Sequence, residues 1–403
     1  MRADIAGPLG QTAAGAIAEE VLRACVHCGM CNATCPTYQI TGDELDGPRG
    51  RIYLIKEALE GKPVSALTQT HLDRCLSCRA CETTCPSGVE YHRLLDIGRQ
   101  EVAARVTRPM MQRLVRWAMR NVIAYPVRMG LMLTLGRLIR PALPKAIAAK
   151  IPQARRNDPF RTSHHARQMV QLRGCAQAAT APHFNVATAR VLDKLGIRLI
   201  EVAGAGCCGA LSFHLEAPDE ARAFARINID AWCARLDAGD EAVVINASGC
   251  AAFVRDYPDL FADEPDYHAK AVRIAVAVRD PIEILKLNPP VAVRKPRHRH
   301  IVFHESCTLR NGPALGGQVR DLMTSLGYDP QPVANAHLCC GSAGAYALLQ
   351  PTFANRLGDD KLTALTATAP DVIYTANIGC WLHLGERAQI PVRHWIEAID
   401  EVT

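Results

Sequence analysis

Eight cysteines near the N-terminus stand in two runs of identical spacing. Cys25, Cys28, Cys31 and Cys35 are closed by Pro36, and Cys75, Cys78, Cys81 and Cys85 by Pro86, an offset of 50 at every position. Thiolate is a soft ligand suited to iron–sulfur clusters. Two-residue gaps let one tight turn aim three sulfurs at three corners of a cubane, and the fourth cysteine of such a run ligates the other cluster. One set is therefore Cys25, Cys28, Cys31 and Cys85, and the other is Cys35, Cys75, Cys78 and Cys81. The prolines turn the chain away after each crossing ligand. Zinc is the competing all-thiolate reading, but it needs neither a third cysteine two residues on nor a closing proline. Arg23, His27, Arg74 and Arg79 flank these cysteines; each reads first as a solvated charge, with a role in raising cluster potentials as the alternative.

Eight further cysteines form a second repeat. Cys175, Cys207 and Cys208 answer to Cys307, Cys339 and Cys340 at an offset of 132; Asn246, Gly249 and Cys250 answer to Asn377, Gly379 and Cys380 at 131 and then 130. Val278-Arg279 and Ile282-Glu283 match Val392-Arg393 and Ile396-Glu397 at 114, which locates a 16-residue insertion at about 256–270. That stretch is acidic, contains proline and reads as a loop. Adjacent cysteines on a glycine turn offer two thiols to one site. A further cluster, a redox dithiol and an inherited turn all remain open. Gly204 to Gly209 matches G-x-G-x-x-G, but Ala336 and Leu338 replace its first two glycines in the second copy, so it is not read as a dinucleotide site. Cys233 is left over and reads as a small buried residue of a helix, 225–236.

The elements that position these cysteines alternate. Strands at 169–172 and 301–303 lead into a cysteine. Helices at 186–195 and 319–326 follow, then a short strand and Cys-Cys-Gly. Strands at 242–245 and 372–374 end in the Gly-Cys turn. Alternation implies parallel sheets, which place ligands at strand C-terminal ends. Between the first two runs, Ile52, Ile55, Ala58 and Leu59 share one face of a helix over 51–59.

From Val102 to Asn157 there is no Asp or Glu, but ten Arg and two Lys, so the net charge of +6 resides in this piece. Its apolar residues and Trp117 give it the pattern of a membrane-surface helix, with Arg113, Arg116, Trp117 and Arg120 as expected contacts; a helical linker packed on an acidic partner subunit or on the second domain is the alternative. No run of 18 apolar residues occurs, the N-terminus lacks a signal-peptide pattern, and the cysteine usage points to a reducing cytoplasm. No reading motif accompanies the charge, so nucleic acid is not an expected partner.

The N-terminal region that holds the two cysteine runs, with its long helical insert, resembles the α-helical ferredoxin of succinate dehydrogenases. The repeat resembles the cysteine-rich CCG domain of heterodisulfide reductases, the anaerobic glycerol-3-phosphate dehydrogenase small subunit, lactate-utilisation proteins and the glycolate oxidase iron–sulfur subunit. Phe253 and His383 stand where the fullest family pattern has a fifth cysteine. Residues 45–56 (LDGPRGRIYLIK), Cys-Cys-Gly-Ala-Leu at Cys207 and Cys-Cys-Gly-Ser-Ala-Gly at Cys339 resemble the glycolate oxidase subunit most.

The resemblance implies an α+β protein. It would have a ferredoxin-like domain with two [4Fe–4S] clusters (1–101), a basic helical linker (102–165) and two α/β CCG repeats (166–290 and 298–403). It implies an oxidoreductase subunit that does not oxidise glycolate alone and carries no flavin. Electrons would pass from FAD-binding flavoprotein subunits to a membrane quinone, at the cytoplasmic face of the inner membrane. A lactate or glycerol-3-phosphate dehydrogenase subunit and a thiol–disulfide reductase acting at the CCG cysteines are the alternatives.

Overall fold

In the computed structural model, which describes residues 1–142, 160 and 162–403, Pro48 opens a helix that runs to Leu59. Proline is at home there because its missing N–H is one the first helical turn leaves unpaired. The helix buries Ile52, Ile55, Ala58 and Leu59, the face its periodicity predicts. Helix Tyr91–Arg105 packs against it at Gly98, where a Cβ would stand 2.6 Å from Ile55 Cγ1. Helix Ala13–Ala24, capped by the Thr12 hydroxyl, adds Ala18, Val21 and Leu22 to the same core. Cys25 and Cys81 lie in that core, so the first cysteine region is organised by helices.

The C-terminal half holds two four-stranded parallel sheets. The first comprises β1 (Arg167–Gln171), β2 (Ile197–Ile200), β3 (Val243–Val244) and β4 (Val278–Arg279), in the order β2-β1-β3-β4. The second comprises β5 (His300–His304), β6 (Asp329–Gln331), β7 (Val372–Thr375) and β8 (Val392–His394), in the order β6-β5-β7-β8. The α+β class, the repeat and the parallel sheets agree with the sequence, and the Val-Arg pairs at 278 and 392 are the fourth strands. One core is shared by both copies: Met169, Leu192 and Leu199 pack with Ile301, Val319, Tyr374, Trp395 and Ile399. Arg190 and Asp400 pair across it at 2.5 Å.

The inserted segment is not a loop. Pro258 and Pro265 each open a helix, Tyr257–Leu260 and Pro265–Ala277. Tyr257, Leu260, Phe261, Ala271 and Ile274 fill the outer core of the first copy beside Trp232 and Cys233. The prolines that suggested a loop are helix starts.

The basic segment forms two helices, Met110–Ile123 and Pro126–Ile139, bent by 102° at the break. No single helix among the described residues is long and apolar enough to cross a membrane. Residues 143–159 and 161, with the segment's remaining basic residues Lys145, Lys150, Arg155 and Arg156, lie outside the described residues.

Candidate metal centres

Each N-terminal run folds as a tight loop with two left-handed residues. These are His27 (φ 61°) and Gly29 (φ 85°) in the first, and Ser77 (φ 50°) and Arg79 (φ 57°) in the second. Left-handed residues alternating with ordinary ones curl the chain around a centre. The loops meet where Thr84 Oγ1 hydrogen-bonds to its repeat-mate Thr34 at 3.2 Å.

Two clefts result. One, of about 450 Å³, is lined by Cys25, Cys28, Cys31 and Cys85, with Cys81, Ile52 and Tyr91 at its walls. The other, of about 390 Å³, is lined by Cys35, Cys75, Cys78 and Cys81, with Arg51, Tyr91 and Leu95. Burial, then the neighbouring Cys25 charge, pushes Cys31 up to about 11, and burial raises Cys78 and Cys81 well above the usual thiol range. Such thiols hold their protons until a cation replaces them. The donor set fits an iron–sulfur centre in each cleft. One further observation favours it: Tyr91 lines both clefts, is 4% exposed, and its hydroxyl has no hydrogen-bond partner. Cluster sulfur is an acceptor that such a donor can serve.

Charge around the second cleft comes from residues that single-residue reading passes over. Arg51 is 1% exposed; it donates to His71 O at 2.7 Å and Thr37 Oγ1 at 3.1 Å, and its Nη1 lies 3.9 Å from Cys35 Sγ. Burial opposes its charge, yet Cys75, Tyr91, Cys35 and Asp46 hold its pKa above the ordinary value. Asp46 accepts from His71 at 2.8 Å and Arg74 at 2.8 Å. Arg74 and Arg79 are thus not solvated charges, since Arg79 pairs with Asp256 of the inserted segment. Arg23 does stay outside, paired with Glu19.

In each CCG copy the four thiols touch in series. Cys175 meets Cys207, Cys207 meets Cys208, and Cys208 meets Cys250. The second copy runs Cys307, Cys339, Cys340, Cys380, with Cys340 and Cys380 sulfurs 3.1 Å apart. Glycine is required after each pair. Gly209 (φ 89°) and Gly341 (φ 86°) are left-handed, and a Cβ would come within 2.9 Å of Ala221 O or 2.6 Å of Ala354 O. Their N–H groups donate to Cys207 and Cys339 Sγ at 3.4 Å. Hydrogen bonding to the next thiol and burial raise Cys175 and Cys307.

The N-terminal domain touches both copies differently. Asn311 Nδ2 donates to Cys78 O at 2.8 Å and Tyr346 OH to Arg74 O at 3.1 Å, and Cys78, Leu76, Cys307, Cys339 and Tyr346 pack as one cluster. The first copy is joined through ion pairs instead, including Arg93 with Asp259 at 2.8 Å.

Two of the expected membrane contacts point the other way. Arg116 is buried with Asp73 at 3.2 Å, and Arg120 pairs with Glu220 at 3.0 Å. Arg108 pairs with Asp73 and Glu216. These side chains fasten the segment to the body, because their acidic partners lie outside the acid-free window. Arg113 and Trp117 are exposed, beside Met110, Met111 and Leu114 and, on the second helix, Val127, Leu131, Met132, Leu135 and Leu138.

The comparisons with known proteins follow the same division. A family model described as a 4Fe-4S dicluster domain matches residues 21–89, and one described as a cysteine-rich domain matches 170–255 and 301–385. The glycolate oxidase iron-sulfur subunit of Escherichia coli K12 is 46% identical over 405 residues, covering 100% of this chain and 99% of the relative. The probable glycolate oxidase iron-sulfur subunit of Bacillus subtilis 168 is 29% identical over 89% of this chain and 87% of its own length. Lactate utilization protein A of Shouchella clausii is 25% identical over 53% of this chain and 90% of its own length. With cysteine-lined clefts in the first half, paired thiol quartets in the second and a likeness that runs the full length, this chain belongs to the family of glycolate oxidase iron–sulfur subunits.

Proposed function

We propose that this chain is the electron-transfer subunit of a flavin-dependent glycolate dehydrogenase, working between flavoprotein subunits and a membrane quinone. The observation that carries the reading is the pair of adjoining clefts, each lined by three cysteines of one run and the crossing cysteine of the other. Each cleft is suited to one [4Fe–4S] cluster, which carries single electrons and so complements a two-electron flavin donor. The protein's part is to set distance, burial and charge. Cys28 is exposed whereas Cys78 is packed against the second CCG copy, so the first cleft faces outward and the second faces inward. Arg51 keeps a buried positive charge beside Cys35.

The bent helix pair seats the complex on the cytoplasmic leaflet of the inner membrane. Helix Pro126–Ile139 exposes Val127, Leu131, Leu135 and Leu138 at helical spacing with Met132 beside them, and an unpartnered apolar face of this kind is suited to burial in lipid or in a partner. At 14 residues it is shorter than a bilayer span and suits a shallow, monotopic position. A thiol–disulfide reductase at the CCG cysteines is disfavoured, because Cys207, Cys208, Cys339, Cys340 and Cys380 are buried with raised pKa and so are poor nucleophiles.

The test is reconstitution. The anaerobically purified chain should not oxidise glycolate, and adding the flavoprotein subunits should restore glycolate-dependent quinone reduction. Turnover by the flavin-free chain alone overturns the subunit reading. Lactate as the better substrate of the reconstituted complex would reassign it.

A further inference from the structure

The two CCG copies share their thiols but not what surrounds them. Three residues before the first cysteine of the set, copy one has Leu172 and copy two has His304. Five residues before the last cysteine, copy one has Ile245 and copy two has Thr375. Three residues after it, copy one has Phe253 and copy two has His383. All six are buried. An apolar shell in one copy is thus replaced in the other by polar groups, which are costly to bury unless they have partners.

Those partners are visible. A ring nitrogen of His304, Nδ1, bonds Thr375 Oγ1 at 2.9 Å, an orienting contact of the kind metal-bound histidines make. An imidazole nitrogen of His304 and the sulfurs of Cys340 and Cys380 lie within 4.8 Å of one another, and all three residues are buried. That spacing suits one ion with ligand bonds of about 2.0–2.3 Å. Cys307 and Cys339 continue the same string of thiols, and Cys307 packs with Cys78 of the second N-terminal cleft.

We propose that the second thiol quartet, and not the first, is a metal centre of mixed sulfur and nitrogen ligation. His304 supplies the imidazole beside Cys340 and Cys380, and Cys307 and Cys339 complete the thiolate side. Thiolate with imidazole suits an iron–sulfur centre, whose several irons can take all five ligands, or zinc, which takes only four of them. The arrangement makes copy one the structural copy and copy two the metal-holding one. The inference rests on the electron-transfer reading only for its place beside the second N-terminal cleft; its ligands stand independently.

The experiment compares full-length chain, purified anaerobically, as wild type, His304→Leu, Cys380→Ser and Cys250→Ser. Iron and zinc per chain are measured, with EPR of the reduced protein, pulsed EPR for imidazole nitrogen, and metal-edge absorption for a zinc ligand shell. His304→Leu copies the residue that copy one already tolerates, so a folded product is expected, and retained EPR signals of the N-terminal clusters check it. His304→Leu and Cys380→Ser should lose the same metal increment, while Cys250→Ser keeps it. For iron, a strongly coupled imidazole nitrogen should vanish in His304→Leu; for zinc, the nitrogen in the ligand shell should vanish. Unchanged metal and an unchanged nitrogen signature in folded His304→Leu overturn the proposal, as does loss of the increment in Cys250→Ser. Wild type without the N-terminal cluster signals would instead count against the electron-transfer reading, and the two failures are thereby separable.

Discussion

Arg51 and Asp46 face each other at 3.7 Å with 1% of either side chain exposed, beside Cys35. Asp46 also holds His71 and Arg74, so one carboxylate ties the cysteine-flanking Arg74, the long helix and the second cleft together. Removing one partner of a buried pair leaves an uncompensated charge. Arg51→Met should cost about 3 kcal/mol, somewhat moderated by Arg74 and His71. It should also lower the potential of the second centre, because a positive charge favours the reduced form. Anaerobic denaturant unfolding and EPR potentiometry measure the two effects, and a potential that stays in place would separate Arg51 from any tuning role.

The cleft assignment makes a stoichiometric prediction. Wild type should carry about eight iron atoms from the N-terminal sets. Cys78→Ala should lose roughly half of that iron and weaken the domain whose fold the metal organises. Full iron and unaltered EPR spectra in Cys78→Ala would reject the ligand set.

Tyr91 offers a subtler probe. Its unpartnered hydroxyl lines both clefts, so Tyr91→Phe removes a donor and almost no volume. At least one N-terminal centre should shift to lower potential, with iron content unchanged. Potentials identical to wild type would mean that the hydroxyl serves no cluster sulfur.

The exposed helix pair predicts liposome binding with weak salt dependence, since Arg108, Arg116 and Arg120 are paired inward. Leu131→Glu with Leu135→Glu should cut co-sedimentation of the assembled complex at least about tenfold, from the lost burial of two leucines. Dye-linked activity should survive. A complex that ignores liposomes in low and high salt alike would assign this face to a partner subunit.

His394 predicts an acid-sensitive fold. Its ring caps Ile396 N at 3.3 Å through Nδ1 and reaches Asn246 O at 3.1 Å through Nε2, so the neutral form is the one that fits. Burial pushes its pKa down to about 3, with bonds to Asn246 and Ala376 opposing. The unfolded chain titrates near 6.5 and binds the proton first, so stability is lost as pH falls below about 6.5. The loss approaches about 1.4 kcal/mol per pH unit for this group. His394→Gln should be less stable at pH 7.5 by about 1 kcal/mol for the damaged cap, yet close that gap by pH 5.5. Denaturant midpoints at both pH values test it; a gap constant with pH excludes His394 as the sensor.

Where chemistry depends on local spacing, the sequence was readable. The Cys-x2-Cys loops, the glycine after each Cys-Cys pair and the parallel strands all follow from neighbours along the chain. What depended on distant partners was not. Arg116 looked available because its counter-charge, Asp73, lies outside the acid-free window. The helices at 257–277 were hidden because Pro258 and Pro265 mark a helix start as readily as a loop. The polar shell of the second copy was legible in principle, as His304 against Leu172 and Thr375 against Ile245, but only the fold shows that the two residues pair across the sheet and that His304 lies beside Cys340 and Cys380.

The core shared between the sheets has a practical consequence for handling this chain. Leu192 and Leu199 of the first copy are covered by Trp395 and Ile399 near the C-terminus. A fragment ending near residue 290 would present that greasy face to solvent, and one starting near 298 would present its mate. Neither half should be obtainable as a well-behaved monomer, whereas mixing the halves should rescue solubility. Each copy thus serves as the other's missing layer, and the two sheets stand or fall together.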